Sequence, residues 1–348
     1  MPTNHLTLGA RRIGPGGPPF VVAEVAQAHE GSVGLAHAHI DAAADAGADA
    51  VKFQTHIATA ESTRDEPFRV AISSQDATRY EYWRRMEFTR EQWSELAEHA
   101  RERDIAFFSS PFSIEAVELL EAVGVRLWKV GSGEVTNLPL LERLARTEKP
   151  VILSSGMSDY AELDRAVELL RPSCDIAVLQ CTSAYPVASS EIGLNVIGEL
   201  RARYDCPVGL SDHSGTIYPS LAAVALGSDV IEIHLTLSRG MFGPDVSASI
   251  TPGELRQLVE GAHLISNALA SPVDKSTIAP ELGTMREMFG RSVAPRRRLA
   301  AGTVLTSDDL TLKKPGTGIS GERLPTLVGR TLLRSVEPDE LLRDEDLA

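Results

Sequence analysis

Residues 207–236 read PVGLSDHSGTIYPSLAAVALGSDVIEIHLT. Two short apolar runs, Pro207–Leu210 and Val230–His234, flank an amphipathic stretch, Tyr218–Leu226, that stops at Gly227. Apolar runs of this length, bounded by turn residues, read as strands buried on both faces, and the stretch between them reads as a helix. The unit is therefore β–α–β. Each strand closes on polar groups: Ser211, Asp212 and His213 follow the first, and His234 ends the second.

The same alternation fills most of the chain. Earlier strands are predicted at Phe20–Val25, Ala50–Gln54, Ala106–Ser109, Leu127–Val130, Val151–Ser154 and Ile176–Gln180. Helical spacing marks Val33–Ala46, Thr89–Arg103, Ile114–Val123, Leu138–Arg146, Tyr160–Leu170, Leu194–Arg203 and Pro252–Ala268. Eight strands, each followed by a helix, is the count of an α/β fold of the (β/α)8 TIM-barrel class, because a doubly wound sheet rarely reaches eight units. Residues Ala58–Met86 interrupt the rhythm; they are polar and lack a clear period, and they read as a long active-site loop. The barrel is expected over 1–270 and a connector over 271–290. Residues 291–348 form short fragments punctuated by Gly302, Gly316, Gly318, Gly321 and Gly329, which reads as a small C-terminal β-rich module.

The chain has 348 residues, 48 acidic against 34 basic, for a formal charge of −14. That balance repels phosphate backbones and excludes bulk nucleic-acid binding and polybasic membrane attachment. A hydrophobic content of 43% with 24% charged residues is globular composition. No apolar run approaches the roughly 18 residues of a membrane helix, and the N-terminus lacks a basic-then-apolar signal layout. Cys174, Cys181 and Cys206 form no CxxC pair. The expectation is a reduced, cytoplasmic protein without membrane contact.

Barrel active sites lie at the C-terminal ends of the strands. Those ends carry Glu24, Lys52, Gln54, Ser109, Ser110, Lys129, Ser132, Glu134, Ser154, Cys181 to Tyr185, Ser211 to His213, and His234. Neighbouring strands are about 4.8 Å apart, so His213 and His234 can converge on one ion. Imidazole suits Zn, Mn, Fe or Co, and two protein ligands leave positions open for a Lewis-acid role; the alternative is a pair of hydrogen-bonded core histidines. Lys52 and Lys129 follow apolar strands, where a lysine is costly unless it meets an anion. Three readings stand. They form an anion cradle with nearby serines, they pair with Glu24 and Glu134, or one of them forms a Schiff base. Glu24 and Glu134 are equally readable as proton acceptors or as lysine counter-ions. Asp245, in MFGPDVSAS, sits on a Gly- and Pro-marked loop that either covers the mouth and ligates a polyol or simply turns the chain.

Nine blocks occur in order: AEVAQAHEGSVG, GADAVKFQTH, FFSSPFS, WKVGSGEVTNLPLL, ILSSGMS, LQCTSAYP, GLSDHSGTIY, IEIHLT and GPDVSASITPGEL, with LKKPGTGI in the tail. This resembles the N-acetylneuraminate (sialic acid) synthase family, including its legionaminate and pseudaminate relatives, over about residues 18–347. The tail is similar to the family's antifreeze-like (SAF) domain. The resemblance implies condensation of phosphoenolpyruvate with the open-chain aldehyde of an N-acetylated hexosamine, N-acetylmannosamine or a 2,4-diacetamido-6-deoxy relative, giving a nine-carbon 2-keto sugar acid and phosphate. It implies a divalent metal, Mn2+ first with Mg2+ or Co2+ as alternatives, on His213 and His234. Lys52, Ser110, Lys129, Ser132, Ser154 and Ser211 match positions that hold phosphoenolpyruvate. Gln54, Ser183, Tyr185, Asp245 and Lys314 match positions near the sugar, and Glu24 and Glu134 lie by the reacting centre. A domain-swapped homodimer is also implied, with LKKPGTGI reaching the partner's site. Lys314 stands where the pattern often has arginine, and lysine lacks its planar donor fork. Ser183 stands where some members have asparagine. Both departures touch the sugar end, so a different aldose is the first alternative, and a Schiff-base aldolase using Lys129 or Lys52 is the second.

Overall fold

The structure is a computed structural model that describes residues 4–68, 70, 75–277 and 282–348. Residues 69 and 71–74 of the expected loop, and 278–281 of the expected connector, lie outside the described residues. The chain divides into two compact units, Met1–Pro272 and Val273–Ala348.

The first unit opens with a hairpin, β1 (Leu6–Leu8) and β2 (Arg11–Ile13). A closed barrel follows: β3 (Phe20–Ala26), β4 (Ala50–Thr55), β5 (Ala106–Pro111), β6 (Trp128–Val130), β7 (Val151–Ser154), β8 (Ile176–Cys181), β9 (Val208–Asp212) and β10 (Val230–His234). Neighbours run parallel in that order, and β10 closes on β3. The helices are α1 (Val33–Asp45), α2 (Ala58–Glu61), α3 (Arg79–Met86), α4 (Arg90–Glu102), α5 (Ile114–Val123), α6 (Leu138–Ala145), α7 (Tyr160–Leu170), α8 (Asn195–Tyr204), α9 (Tyr218–Ala225) and α10 (Pro252–Ala270). All eight expected strands and their helices are present, with ends shifted by a residue or two. Caps explain several starts. Ser113 accepts from Ala116 N–H on α5, and Asp159/Glu162 and Thr251/Glu254 form reciprocal boxes on α7 and α10.

Two expectations need correction. The Ala58–Met86 stretch contains α2 and α3, with Thr78 and Glu81 boxing the start of α3. The hairpin was not expected at all. Its strands are three residues each, too short for a periodic pattern.

Side chains alternate along a strand, and this period of two builds the site. Val21, Ala23, Val51 and Phe53 pack outward with the helices. Phe20, Val22, Ala50, Phe108, Leu127, Ile152, Ala177, Leu179 and Val230 form a separate buried cluster inside the barrel. Leu6 and Ile13 of the hairpin join this inner cluster and seal its base. Two residues further along the same inward rows stand Glu24, Lys52, Ser110, Lys129, Ser154, Cys181 and Glu232. Each row thus runs from an apolar floor to a polar mouth. Gly209 lets β9 approach β10, because a Cβ there would lie 1.8 Å from the Val230 carbonyl oxygen.

The second unit holds α11 (Gly283–Phe289), β11 (Ser292–Pro295), β12 (Leu310–Lys313) and α12 (Leu324–Leu327). β11 and β12 pair antiparallel, and isolated bridges such as Leu299 to Val336 and Leu332 to Leu347 tie the loops together. Val293, Leu299, Leu305, Leu310, Leu327, Leu332, Val336 and Leu342 form its own core. Helix α11 lies within the stretch expected as connector. No helix of the described residues is long and apolar enough to cross a membrane.

Candidate active site

Lys52 on β4 and Lys129 on β6 point into the barrel and are 3% and 2% exposed. An ammonium at that depth needs an anion. Glu24 Oε2 lies 2.7 Å from Lys52 Nζ. Glu232 Oε1 lies between the two lysines, 3.9 Å from Lys52 and 3.7 Å from Lys129. Hydroxyls complete the group. Lys129 donates to Ser154 Oγ at 2.6 Å, Lys52 to Ser110 Oγ at 3.3 Å, and Ser211 donates to Glu232 Oε1 at 3.1 Å.

The electrostatics follow from burial against pairing. Burial pushes the Glu24 carboxyl up to about 7, although Lys52 opposes it. Burial disfavours the Glu232 carboxylate too, but Lys129 and Lys52 outweigh it and hold its pKa below the usual range. Lys52 feels the same contest. Burial opposes its charge, and Glu232 and Glu24 raise its pKa above the ordinary value. Lys129 is depressed, first by burial and then by the like charge of Lys52.

Glu232 is a site residue that the sequence reading missed. It sits mid-strand in VIEIH, two residues before His234, so both occupy one inward row. A carboxylate inside an apolar strand was itself the signal. Conversely, Glu134 is not a lysine counter-ion. It accepts from Asn137 Nδ2 at 2.7 Å, and burial raises its carboxyl.

The two histidines stand together at the mouth. Their ring centroids are 5.2 Å apart at 66°. His213 Nδ1 meets the Thr182 carbonyl oxygen at 2.8 Å. A carbonyl only accepts, so Nδ1 carries a proton; in the neutral ring Nε2 then keeps its lone pair, the tautomer of an imidazole ligand oriented by a backbone carbonyl. Burial opposes a charge on this ring, but Cys181 and the Thr182 carbonyl outweigh it and raise its pKa. Glu232 Oε2 is buried without a hydrogen-bond partner, and Glu232 lies close enough to His234 to feel its charge. The two imidazoles are the donors at hand for a divalent cation; among the described residues no group of three or more His, Cys, Asp and Glu side chains is arranged to hold one. Asp212 fixes the turn beneath His213, accepting from Ser214 N–H at 2.8 Å and from the Ser220 hydroxyl at 2.7 Å. Tyr185 stacks on His213 at 4.1 Å.

Gln54 Nε2 donates to Glu24 Oε1 at 3.0 Å. Gln54 Oε1 faces His56 Nε2 at 3.4 Å and Gln27 Nε2 at 3.5 Å. The His56 ring is sandwiched between Trp83 at 3.8 Å and Phe112 at 4.3 Å, and its Nδ1 lies 2.6 Å from Glu61 Oε1. Gln27, His56 and Glu61 were also missed, being single residues with no spacing to betray them. Gly156 leaves room beside Ser132 and Ser183, because a Cβ there would be 2.7 Å from each hydroxyl oxygen.

The lysines, glutamates, glutamines, histidines and serines that converge here open on one cavity of about 880 Å3, with Asp212, Thr182 and Gly156 behind its lining. It is lined by every sequence-predicted site residue except Lys314, including Ser132, Ser183 and Asp245. Parts of the Ala58–Met86 stretch form one wall, among them Phe68, Tyr82 and Trp83. Lys314 belongs to the second unit, where its Nζ lies 5.3 Å from the Phe289 ring centroid. The three cysteines are buried free thiols.

The NeuB family model matches residues 39–274 and the SAF domain model residues 290–348. The chain belongs to the NeuB family. Among its relatives, the human N-acetylneuraminate-9-phosphate synthase is 37% identical, covering 99% of this chain and 97% of the relative. The N,N'-diacetyllegionaminic acid synthase of Campylobacter jejuni is 34% identical, covering 93% and 99%. A crystal structure of N-acetylneuraminic acid (sialic acid) synthetase from Leptospira borgpetersenii, 31% identical, superposes with a TM-score of 0.71 over 82% of this chain and 95% of that one. The barrel, the C-terminal SAF domain and membership in a family of sugar-acid synthases make this chain an enzyme of that class.

Proposed function

We propose that this enzyme condenses phosphoenolpyruvate with the open-chain aldehyde of an N-acetylated hexosamine, giving a nine-carbon 2-keto sugar acid and inorganic phosphate. The observation that carries the reading is the pairing of two deep ammoniums, ringed by serine hydroxyls, with two histidines at the mouth of the same cavity.

Lys52, Lys129, Ser110, Ser132, Ser154 and Ser211 bind the phosphate and carboxylate of phosphoenolpyruvate. Gln54, Ser183, Tyr185 and Asp245 hold the sugar so that its aldehyde faces C3 of the enol ester. His213 and His234 would hold a divalent cation, Mn2+ in the first instance, which when bound would supply Lewis acidity to polarise the aldehyde. C3 attacks the aldehyde carbon, a carbon–carbon bond forms, and the aldehyde oxygen takes a proton. Water adds to C2 and gives its proton to a carboxylate. Glu24 is suited to that transfer, because a carboxyl held near pKa 7 can both accept and return a proton. The tetrahedral C2 then expels phosphate with cleavage of its carbon–oxygen bond, leaving the ketone. By resemblance, Lys314 and the C-terminal module serve a partner's site in a homodimer.

Phosphate release from phosphoenolpyruvate, measured with and without an N-acetylated aldose and Mn2+, tests the reading. Release that requires both is expected, and no release with any aldose under any metal contradicts it. One observation favours a second reading: the depressed Lys129 is the better Schiff-base former. A pyruvate adduct trapped on Lys129 or Lys52 by borohydride, with turnover indifferent to chelator, would select that aldolase instead.

A further inference from the structure

We propose that His56 and Glu61 are a positioning pair for Glu24. Glu61 holds the His56 ring so that its Nε2–H fixes the amide of Gln54, and the fixed amide donates its own N–H to the Glu24 carboxylate. The proposal rests on the synthase reading above, in which Glu24 receives the proton of the water that adds to C2.

A glutamine amide is nearly symmetric in shape, so its partners decide which end is oxygen. Gln54 Nε2 reaches Glu24 Oε1 at 3.0 Å, while Glu24 Oε2 is taken by the Lys52 ammonium at 2.7 Å. Reversal of the amide would set its oxygen against the carboxylate and remove that donor. On its other side, Gln54 Oε1 meets two groups, Gln27 Nε2 at 3.5 Å and His56 Nε2 at 3.4 Å. Gln27 does not settle the orientation, because it is an amide itself. Its Oε1 is buried without a hydrogen-bond partner, so nothing on its far side selects one end over the other. Among the described residues, His56 is the partner that remains.

The His56 ring is clamped on both faces and at one edge. Trp83 and Phe112 lie at 3.8 and 4.3 Å, each nearly parallel to it at 11°. Two rings so close and so parallel cannot share one face, so they cover both. Trp83 is itself held: its Nε1 donates to Glu66 Oε2 at 3.1 Å, and the Arg79 guanidinium lies 4.9 Å from its ring centroid. At the edge, His56 Nδ1 lies 2.6 Å from Glu61 Oε1. Glu61 ends α2 and Trp83 belongs to α3, so the excursion after β4 serves the reaction without supplying a catalytic group.

The two edge contacts together fix a proton on Nε2. A Glu61 carboxylate accepts from Nδ1–H, and the ring then bonds the Gln54 oxygen only if Nε2 carries a second proton. A Glu61 carboxyl instead donates to Nδ1, and the neutral ring has its hydrogen on Nε2. Both arrangements that satisfy the two contacts aim an N–H at Gln54 Oε1, which only accepts. A hydrogen bond to an amide oxygen polarises the amide and strengthens the N–H it offers beyond, here to Glu24.

Long-range 1H–15N spectra of enzyme labelled with 15N-histidine read the tautomer at neutral pH, with the His56 signals assigned by their loss in His56→Phe or His56→Gln. A proton on Nε2 is expected, and a bare Nε2 overturns the proposal. Kinetics test the action through Gln54, using an N-acetylated aldose that gives phosphate release from phosphoenolpyruvate with Mn2+. His56→Phe keeps an aromatic ring between Trp83 and Phe112 and removes both nitrogens. Its kcat should fall about 10-fold, the scale of one lost hydrogen bond, with KM for phosphoenolpyruvate within about twofold of wild type. In a Gln54→Leu background the same substitution should change kcat by less than about twofold, because the amide it positions is gone. A purely structural role would cost the same factor in both backgrounds. Equal losses overturn the proposal, as does an unchanged kcat in His56→Phe, and either result leaves the synthase reading intact. Phosphate release with no aldose removes that reading and the role of the pair together.

Discussion

Glu232 is the counter-ion that allows two lysines to share one barrel interior, so Glu232→Gln is a stringent perturbation. The glutamine fills the same space and can still accept from Ser211, whose hydroxyl reaches Oε1 at 3.1 Å. It removes one negative charge 3.9 Å from Lys52 and 3.7 Å from Lys129. At an effective dielectric of about 20, each contact is worth roughly 4 kcal/mol before desolvation. The cost of burying the carboxylate returns much of that, and breaking a buried pair by removing one partner costs about 3–5 kcal/mol net. Urea unfolding at neutral pH should therefore lose roughly that amount, and phosphoenolpyruvate should restore more stability to the variant than to the wild type, because its anionic groups replace the missing charge. A variant within about 1 kcal/mol of wild type, with no extra stabilisation by phosphoenolpyruvate, would refute the account of the interior as a charge-balanced anion site.

Other outcomes follow from individual contacts. His213→Ala should abolish turnover and lower Mn2+ affinity in calorimetry while leaving the circular dichroism spectrum unchanged. Gly209→Ala should destabilise by about 1–3 kcal/mol or more in denaturant unfolding, because the added methyl meets the backbone of β10 at 1.8 Å and the strand pair must part. His29 is fully buried, accepts from Gly31 N–H through Nδ1, and is held down to about 3, chiefly by burial. Unfolded, it takes up a proton near pH 6.5. Its contribution to stability is thus complete above pH 6.5 and is lost as pH falls toward 3, at about 1.4 kcal/mol per unit. The wild type should lose about 2 kcal/mol more than His29→Phe between pH 6.5 and 5 in unfolding titrations, and parallel curves would count against this.

The barrel was legible because parallel strands covered by helices are apolar on both faces, so each strand stood out as an uninterrupted run between turn residues. The polar strand ends were legible for the same reason, and Lys52, Lys129, His213 and His234 line the cavity they pointed to. Glu232 was hidden by that very logic, since it lies inside a run that otherwise reads as strand. The Thr78-x-x-Glu81 cap was a readable start for α3, masked by the polarity of the surrounding stretch. The hairpin sealing the floor and the amide chain from Glu24 to Gln27 depend on contacts between residues distant in sequence, which no local pattern carries.

The central claim is that a cation on two imidazoles sits beside an anion on two ammoniums. Anomalous diffraction from crystals soaked with Mn2+ and phosphoenolpyruvate measures this directly. A manganese peak within coordinating distance of His213 and His234, with the enol ester on Lys52 and Lys129, is the expected result; a cation bound elsewhere, or an enol ester that avoids both lysines, would contradict it.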